Sequence, residues 1–566
     1  MGQNVHSLPP KHVDVLIIGA GPGGSYAASV LAREGINVAL LESSKFPRYH
    51  IGESLIPSIR HYLRFIGAEE KMENHGFVRK PGSAIKFNQF KREGYTDFVA
   101  LGHNNNAWNV VRSEFDLLLL NHARSSGAAV YEQTKVTSVS FSSDDPVRPV
   151  SVSWTHVPPP SPLSPPASPI MDLKEFDSRR NVDSTPIEGV TTFGHLIDAS
   201  GREGILSTRY LKNRHFNASL KNIAVWGYWT GVGTYGAGTP RHGAPWFEAL
   251  TDESGWAWFI PLHKGKTSIG IVMNQELYNR KNKSDEPLVS PFAPDTAPNP
   301  TNSRMTARYL SNISLAPGLF KLITAEGRME TGSVKSASDF SYSAPAYAGR
   351  SYRIVGDAGA FIDPFFSSGI HLAMTSALSA ASTICASIRG DCSEEEAARW
   401  HTSRFSTSYT RFQVVVLSAY KQIRAQSDGV LADIDEDNYD RAFSLLRPVI
   451  QGAAEMGSRL SESELQRSLD FCVNLFNPTT PEQHRRLFND CKIKDFLHHR
   501  QCISSRAYSS DDEKDGSDAR MILNKVNARR VVHSEYSINN LESEPLGGFV
   551  VRLKVGALGL GRVTSS

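Results

Sequence analysis

The chain has 566 residues, enough for one large domain or two to four ordinary ones, and 40% hydrophobic with 21% charged residues is a globular balance, not a disordered one. Its 61 basic and 58 acidic residues leave a net charge of +3, which gives no electrostatic case for nucleic acid. Five cysteines, odd in number and without C-x-x-C spacing, argue against a zinc site or disulfide framework and for a reducing compartment. Met1 to Lys11 holds no apolar signal-peptide core, and the start departs from a myristoylation signal at His6. No uninterrupted apolar run reaches membrane-spanning length. The expectation is a cytoplasmic protein with no bound metal.

Val13 to Ile18 has the β-branched, apolar composition of a buried parallel strand. It runs into Gly19-Ala20-Gly21-Pro22-Gly23-Gly24, a G-x-G-x-x-G. A helical pattern follows from Ser25 to Glu34 and should stop at a left-handed Gly35. Val38 to Leu41 reads as the next strand, with Glu42 at its end. Gly19 permits the tight turn, Gly21 lets the backbone approach a pyrophosphate, and Gly24 allows close helix–strand packing. The helix N-terminus offers N–H donors to the phosphates, and Glu42 stands where it would accept from ribose hydroxyls. Strand, glycines, helix, strand and acid in register make this a dinucleotide site.

Arg48 to Leu55 reads as a loop entering a helix, with Ser54 near the cap and Pro57 in the first turn. Gly52 suits a segment lying against a cofactor; a plain βα connection is the other reading. Lys80 precedes Pro81, which holds it extended, and Ala84 to Phe90 alternates as a strand carrying Lys86. Asn109 to Asp116 opens a helical pattern through Ala123, where Arg112 could meet phosphates. Val157 to Pro169 is Pro-rich and reads as a solvated polyproline-like insertion. Order resumes at Thr192, reaching Asp198-Ala199-Ser200-Gly201.

Gly231 to Gly236 is a second literal G-x-G-x-x-G, but Pro240 follows where a helix is needed, so it reads as a turn. Trp256 and Trp258 lie two apart, on one face of a strand. Tyr352 to Val355 is a buried strand ending in Gly356-Asp357. Asp363-Pro364-Phe365-Phe366-Ser367-Ser368-Gly369 then leads into a small-residue helix ending near Ile388. From Cys392 to Leu497 the pattern is mostly helical, Asp511 to Asp518 is a charged linker, and Gly547 to Gly561 is an apolar tail without an assigned place.

One N-terminal fingerprint, Asp198-Ala199-Ser200-Gly201, and Gly356-Asp357 after a strand together resemble the FAD monooxygenase superfamily with the hydroxybenzoate-hydroxylase fold. Gly255-Trp256-Ala257-Trp258-Phe259-Ile260-Pro261 matches the W-x-W-x-I-P signature of flavin-dependent halogenases. Arg48 to Ser54, Gly76 to Lys80 and Asp363 to Gly369 look like the fungal branch that halogenates phenolic polyketides. The fold class so implied is α/β, with a Rossmann-like FAD-binding domain interleaved with a β-sheet substrate domain and a mostly helical C-terminal region. The expected module spans 13–390, its FAD segments at about 13–60, 105–125, 192–208 and 350–390, with the Pro-rich loop at 157–171 between sheet segments. A helical region at 391–505 and a linker and tail at 506–566 complete the division.

The resemblance implies FAD, used as FADH2 from a separate flavin reductase, together with O2 and chloride. Gly19, Gly21, Gly24, Glu42, Arg48, Glu53, Arg112, Gly356 and Asp357 would bind the cofactor. Ser368 and Gly369, opening a helix, would hold the halide, with Phe365 and Phe366 keeping water out. Trp256 and Trp258 would wall the flavin off from the organic substrate. The hypochlorous acid formed at the flavin would travel to a lysine, which maps onto Lys80, with Lys86 as competitor. Tryptophan halogenases carry a glutamate where this chain has Phe366, which suits a phenol, free or carrier-bound, already activated toward electrophiles. The rival reading is an NAD(P)H-dependent aromatic hydroxylase on the same fold, and a third is a non-catalytic FAD scaffold.

Overall fold

The structure is a computed structural model; it describes residues 8–158, 185–283, 304–424 and 545–563, except 88, 91–92, 100–103 and 325, together with 292 and 426. Its first sheet grows around His12–Ile18, whose last four residues are buried: strands flank it, the helices Pro22–Arg33 and Gly369–Arg389 pack on one face, and Val136, Val139, Val152, Trp154 and Leu206 pack on the other. Val38–Leu41 pairs parallel on one side and Ile187–Asp198 on the other; Ala129–Tyr131 and Tyr352–Ile354 extend the parallel order outward. A hairpin of Thr134–Phe141 and Pro149–His156 joins antiparallel through Ile187–Asp198. The crossover helix Pro22–Arg33 begins with proline in its first turn, and Gly35 after it is left-handed at φ +79°.

A second sheet of eight described strands stands on the first module. Its long strand His215–Thr230 lies between Lys266–Asn274 and Lys335–Ser343, and Gly255–Pro261, Trp246–Ala249, Gly82–Lys86 and Gly94–Asp97 follow beyond Lys266–Asn274. The period-2 alternation divides its residues cleanly. Trp226, Trp256, Trp258 and Ile260 point to one core, whereas Val225, Ala257 and Phe259 point to another against the helices Arg304–Ile313 and Pro317–Ile323.

The helix Gly369–Arg389 is long and apolar enough to cross a membrane by composition, yet 89% of that window is buried inside the molecule, as a core helix should be. It packs on Pro22–Arg33 and on Glu394–Arg424. The tail that the sequence left unassigned is a hairpin of Phe549–Arg552 and Gly559–Arg562, and its apolar residues join the same core. Glu34 fastens it by accepting from the Gly556 and Leu558 N–H groups at 2.8 and 3.0 Å. Most of the Pro-rich loop, the helical pattern beyond Arg424 and the charged linker lie outside the described residues.

Ser54 corrects the sequence reading. The helix starts at Ile59 with Ser58 before it, so Ser54 is not at its cap. Instead Ser54 forms a β-bridge with Asn109, fixed by Leu55 N–H to Trp108 O at 3.0 Å and Val110 N–H to Glu53 O at 2.7 Å. These backbone pairs hold residues 53–55 extended, which delays the helix.

Candidate active site

A cavity of about 480 Å³ lies where the two sheets meet, and it runs from the fingerprint turn to the tryptophan face. Gly19, at φ +96°, lies so close to Ala199 that a Cβ there would meet its carbonyl. Gly24 is pressed against the Gly19 carbonyl oxygen, which leaves no space for a side chain. Gly21 differs: a Cβ there would meet only the Arg48 guanidinium, at 3.6 Å, and would fill the cradle at the helix N-terminus.

Glu42 borders the cavity with a carboxylate that accepts from the Ala20 and Ser44 N–H groups, each at 2.8 Å. Arg48 reaches over the cradle and pairs with Asp116 at 3.2 Å. The Arg112 guanidinium grips Asp116 with two bonds and the Ile51 carbonyl with a third at 2.6 Å, so it braces the 48–52 loop as it lines the cavity. On the other side Gly356 is left-handed and Asp357 faces the space; burial raises the Asp357 carboxyl. A flavin dinucleotide suits this donor set: an anion cradle at a helix N-terminus, a carboxylate at the strand end, and a polar rim around an elongated space. Of the expected residues, Gly24 serves packing instead of lining.

The far end is built by the turn before the helix Gly369–Arg389. Asp363 accepts from the Phe365 N–H at 3.1 Å, Ser367 is left-handed, and Gly369 and Ile370 line the cavity in the first turn of a helix, where N–H groups have no intrahelical acceptor. Gly369 lines the space, whereas Ser368 lies just behind it, fully buried, its hydroxyl without a hydrogen-bond partner among the described residues. Phe365 and Phe366 are buried beneath, with Phe365 edge-on to Trp256 at 4.9 Å. A helix start backed by buried aromatic rings is chemistry that suits a small anion.

Trp256 and Trp258 face the cavity with ring centroids 5.8 Å apart. Trp256 donates to the Tyr420 hydroxyl at 2.8 Å, and Tyr420 donates to Asp363 at 2.6 Å. Trp258 donates to Ser268 and lies over Gly270, where any Cβ would collide with the indole. Sequence reading missed Tyr420 and Gly270; a glycine inside an apolar strand was the available sign of close approach. Trp226 adds a third indole, and its N–H donates to Tyr49. Glu53 accepts from the Tyr228 hydroxyl at 2.6 Å, and burial raises its carboxyl.

Lys80 does not line this cavity. It sits one residue behind the wall, 1% exposed, with Nζ donating to Ser54 Oγ and the Leu55 carbonyl, each at 2.8 Å. Ser54 is itself part of the cavity wall. Burial lowers the Lys80 amine from 10.5 to about 7. Lys86 ends its strand only partly buried.

A family profile described as "Tryptophan halogenase" matches residues 14–154 and 188–431. The flavin-dependent halogenase armH1 of Armillaria mellea is 50% identical over 98% of this chain and 99% of its own. The sulochrin halogenase gedL of Aspergillus terreus is 42% identical over 98% of this chain and 94% of its own. The solved structure of the myxobacterial chondrochloren halogenase CndH shares the fold, with a TM-score of 0.60 at 24% identity over 82% of this chain and 97% of that one. Against relatives of this identity the hydroxylase reading is not favoured. With its cavity shaped for FAD, the chain belongs to the flavin-dependent halogenases.

Proposed function

We propose that the enzyme is a chlorinase that forms hypochlorous acid at the Ser368–Gly369 end of the cavity. From there the oxidant passes through Lys80 to an electron-rich phenolic ring of a fungal polyketide or meroterpenoid. The observation that carries this is Lys80 itself, a buried amine near neutrality, held by Ser54 on the wall of the flavin cavity. FAD, reduced by a separate reductase, would supply with O2 the two-electron oxidation of chloride. The cradle at Gly21 and Arg48 would bind its pyrophosphate, Glu42 a ribose, and Asp357 its chain beyond.

The remaining steps belong to the chain. The N–H groups at Gly369 and the Ser368 hydroxyl hold the halide, and Phe365 and Phe366 exclude water that would compete for it. Trp256 and Trp258 occupy the space a ring would need to reach the flavin. At Lys80 the neutral amine attacks chlorine: the N–Cl bond forms, the O–Cl bond breaks, and the hydroxide leaves as water with the amine's proton. The ring carbon then takes chlorine from nitrogen and returns its own proton to the amine.

With Phe366 where tryptophan halogenases place a glutamate, the site has no acid there to assist a weak nucleophile, and a phenol needs none. The name of the sulochrin halogenase supports the same substrate class. Cytoplasmic location is part of this reading, and the free buried thiols Cys385 and Cys392 are compatible with it.

The test is mass spectrometry on the purified enzyme with FAD, a flavin reductase, NADH, O2, chloride and a panel of resorcylic and orsellinic phenols. A chloride-dependent product with the chlorine isotope pattern is the expected result. A product that gains one oxygen, with NAD(P)H consumed in the absence of the reductase, would sink it.

A further inference from the structure

Asn109 is 0% exposed, yet neither its amide nitrogen nor its amide oxygen has a hydrogen-bond partner among the described residues. A buried primary amide with both ends unpaired is costly unless something occupies it. Its surroundings name what that could be. Asn109 lies opposite Val78 in the ladder of Ala107–Asn109 with Val78–Lys80, so Val78, Lys80 and Asn109 share one face. On its other side Asn109 opposes Ser54. The bonds Leu55 N–H to Trp108 O and Val110 N–H to Glu53 O make that a non-hydrogen-bonded pair, the closer of the two antiparallel kinds. Ser54 Oγ accepts from Lys80 Nζ, so its own hydroxyl proton points elsewhere, and Ser54 reaches the cavity wall.

We propose that Asn109 binds the hypochlorous acid as it arrives at Lys80. Hypochlorous acid is small and carries one O–H donor and acceptor lone pairs on oxygen. The Asn109 carbonyl can accept the first and its N–H can donate to the second, beside the amine that must meet the chlorine. Holding the oxygen fixes the chlorine toward the lysine and gives the leaving hydroxide a donor. The amide takes no proton and forms no covalent bond; it holds the molecule that would otherwise diffuse away. This assignment rests on the reading of Lys80 as the receiving amine.

The experiment turns over wild-type, Asn109→Leu, Asn109→Asp and Lys80→Ala holoenzymes with a flavin reductase, NADH, O2 and chloride. Each reaction contains the panel phenol that the wild type chlorinates best, with monochlorodimedone as a scavenger in bulk solution. Chlorinated phenol, chlorinated scavenger and hydrogen peroxide are counted per flavin oxidised, beside FAD affinity and melting temperature. Asn109→Leu should move the oxidant from phenol to scavenger and peroxide by tenfold or more, with FAD affinity unchanged and the melting temperature equal or higher. Asn109→Asp, which keeps the shape and lacks the N–H donor, should shift the partition in the same direction and covers a leucine variant that fails to fold. A wild-type partition in either folded variant overturns the proposal, whatever the melting temperature does. Lys80→Ala decides the lysine reading separately: continued phenol chlorination there overturns that reading, whereas the asparagine variants alone decide the role of the amide.

Discussion

Lys80 Nζ donates to Ser54 Oγ at 2.8 Å, and Ser54 is a wall residue of the flavin cavity. A single hydroxyl therefore separates the cavity from the amine proposed to receive the oxidant.

Lys80→Ala should lower chlorination by at least about a thousandfold with FAD affinity unchanged, the size expected when a nucleophile is removed. Retained chlorination would move the role to Lys86 or remove it.

The lowered Lys80 amine has two signatures with pH. Only the neutral amine can accept chlorine, so the rate of the lysine step should climb about tenfold per pH unit below about 7 and level above it. Single-turnover chlorination from roughly pH 5.5 to roughly pH 9 reads this. Stability follows with its own sign. Between about pH 7 and 10.5 the unfolded chain holds a proton that the folded lysine has released, so stability rises with pH across that window. Lys80→Met should flatten that rise and melt higher than wild type at pH 7.

Gly21 and Gly24 make a matched pair. Gly24→Ala forces a Cβ into the Gly19 carbonyl and should destabilise the apoprotein by roughly 2–4 kcal/mol. Gly21→Ala places its Cβ in ordinary contact with the Arg48 guanidinium and should leave apo melting within about 1 kcal/mol while weakening FAD binding about a hundredfold. Thermal melts without flavin, beside flavin titration, separate the two; equal effects on both readouts would refute the distinction.

Tyr420→Phe removes the acceptor of the Trp256 indole and a donor to Asp363, which also caps the turn before the helix Gly369–Arg389. A cost of roughly 1–3 kcal/mol is expected from the orphaned buried groups. A larger share of reducing equivalents should also appear as hydrogen peroxide, since the shield and the turn lose a common anchor. Unchanged coupling between flavin oxidation and chlorination would show that Trp256 needs no such tether.

Glu394 pairs with the fully buried Arg353 at 2.8 Å; against the opposing effect of burial, its hydrogen bond to His195 and the Arg353 charge hold its carboxyl well below the usual carboxylate range. A depressed carboxyl stabilises above its unfolded value and loses that contribution as pH falls. Glu394→Gln should therefore cost roughly 2–4 kcal/mol at pH 7 and progressively less below about pH 4. Urea melts at pH 7 and pH 3.5 check it, and a cost independent of pH would contradict the ion-pair account.

What the sequence determined by itself is whatever depends on neighbours along the chain. The fingerprint turn is six consecutive residues in which Gly24 is dictated by the Gly19 carbonyl just before it, and the shared face of Trp256 and Trp258 follows from strand parity alone. The anion-friendly start at Ser368 and Gly369 is likewise a property of any helix opened by small residues. The tertiary structure decided the rest because the deciding groups come from far away. The Lys80 amine is lowered by burial under partners 25 and 26 residues upstream, and Trp256 is tethered by a tyrosine 164 residues on. Ser54 left its expected helix cap because Asn109, on another strand, captured its backbone into a bridge. Periodicity and spacing carry no record of such pairings; they arise when burial forces distant polar groups to find each other or remain unpaired.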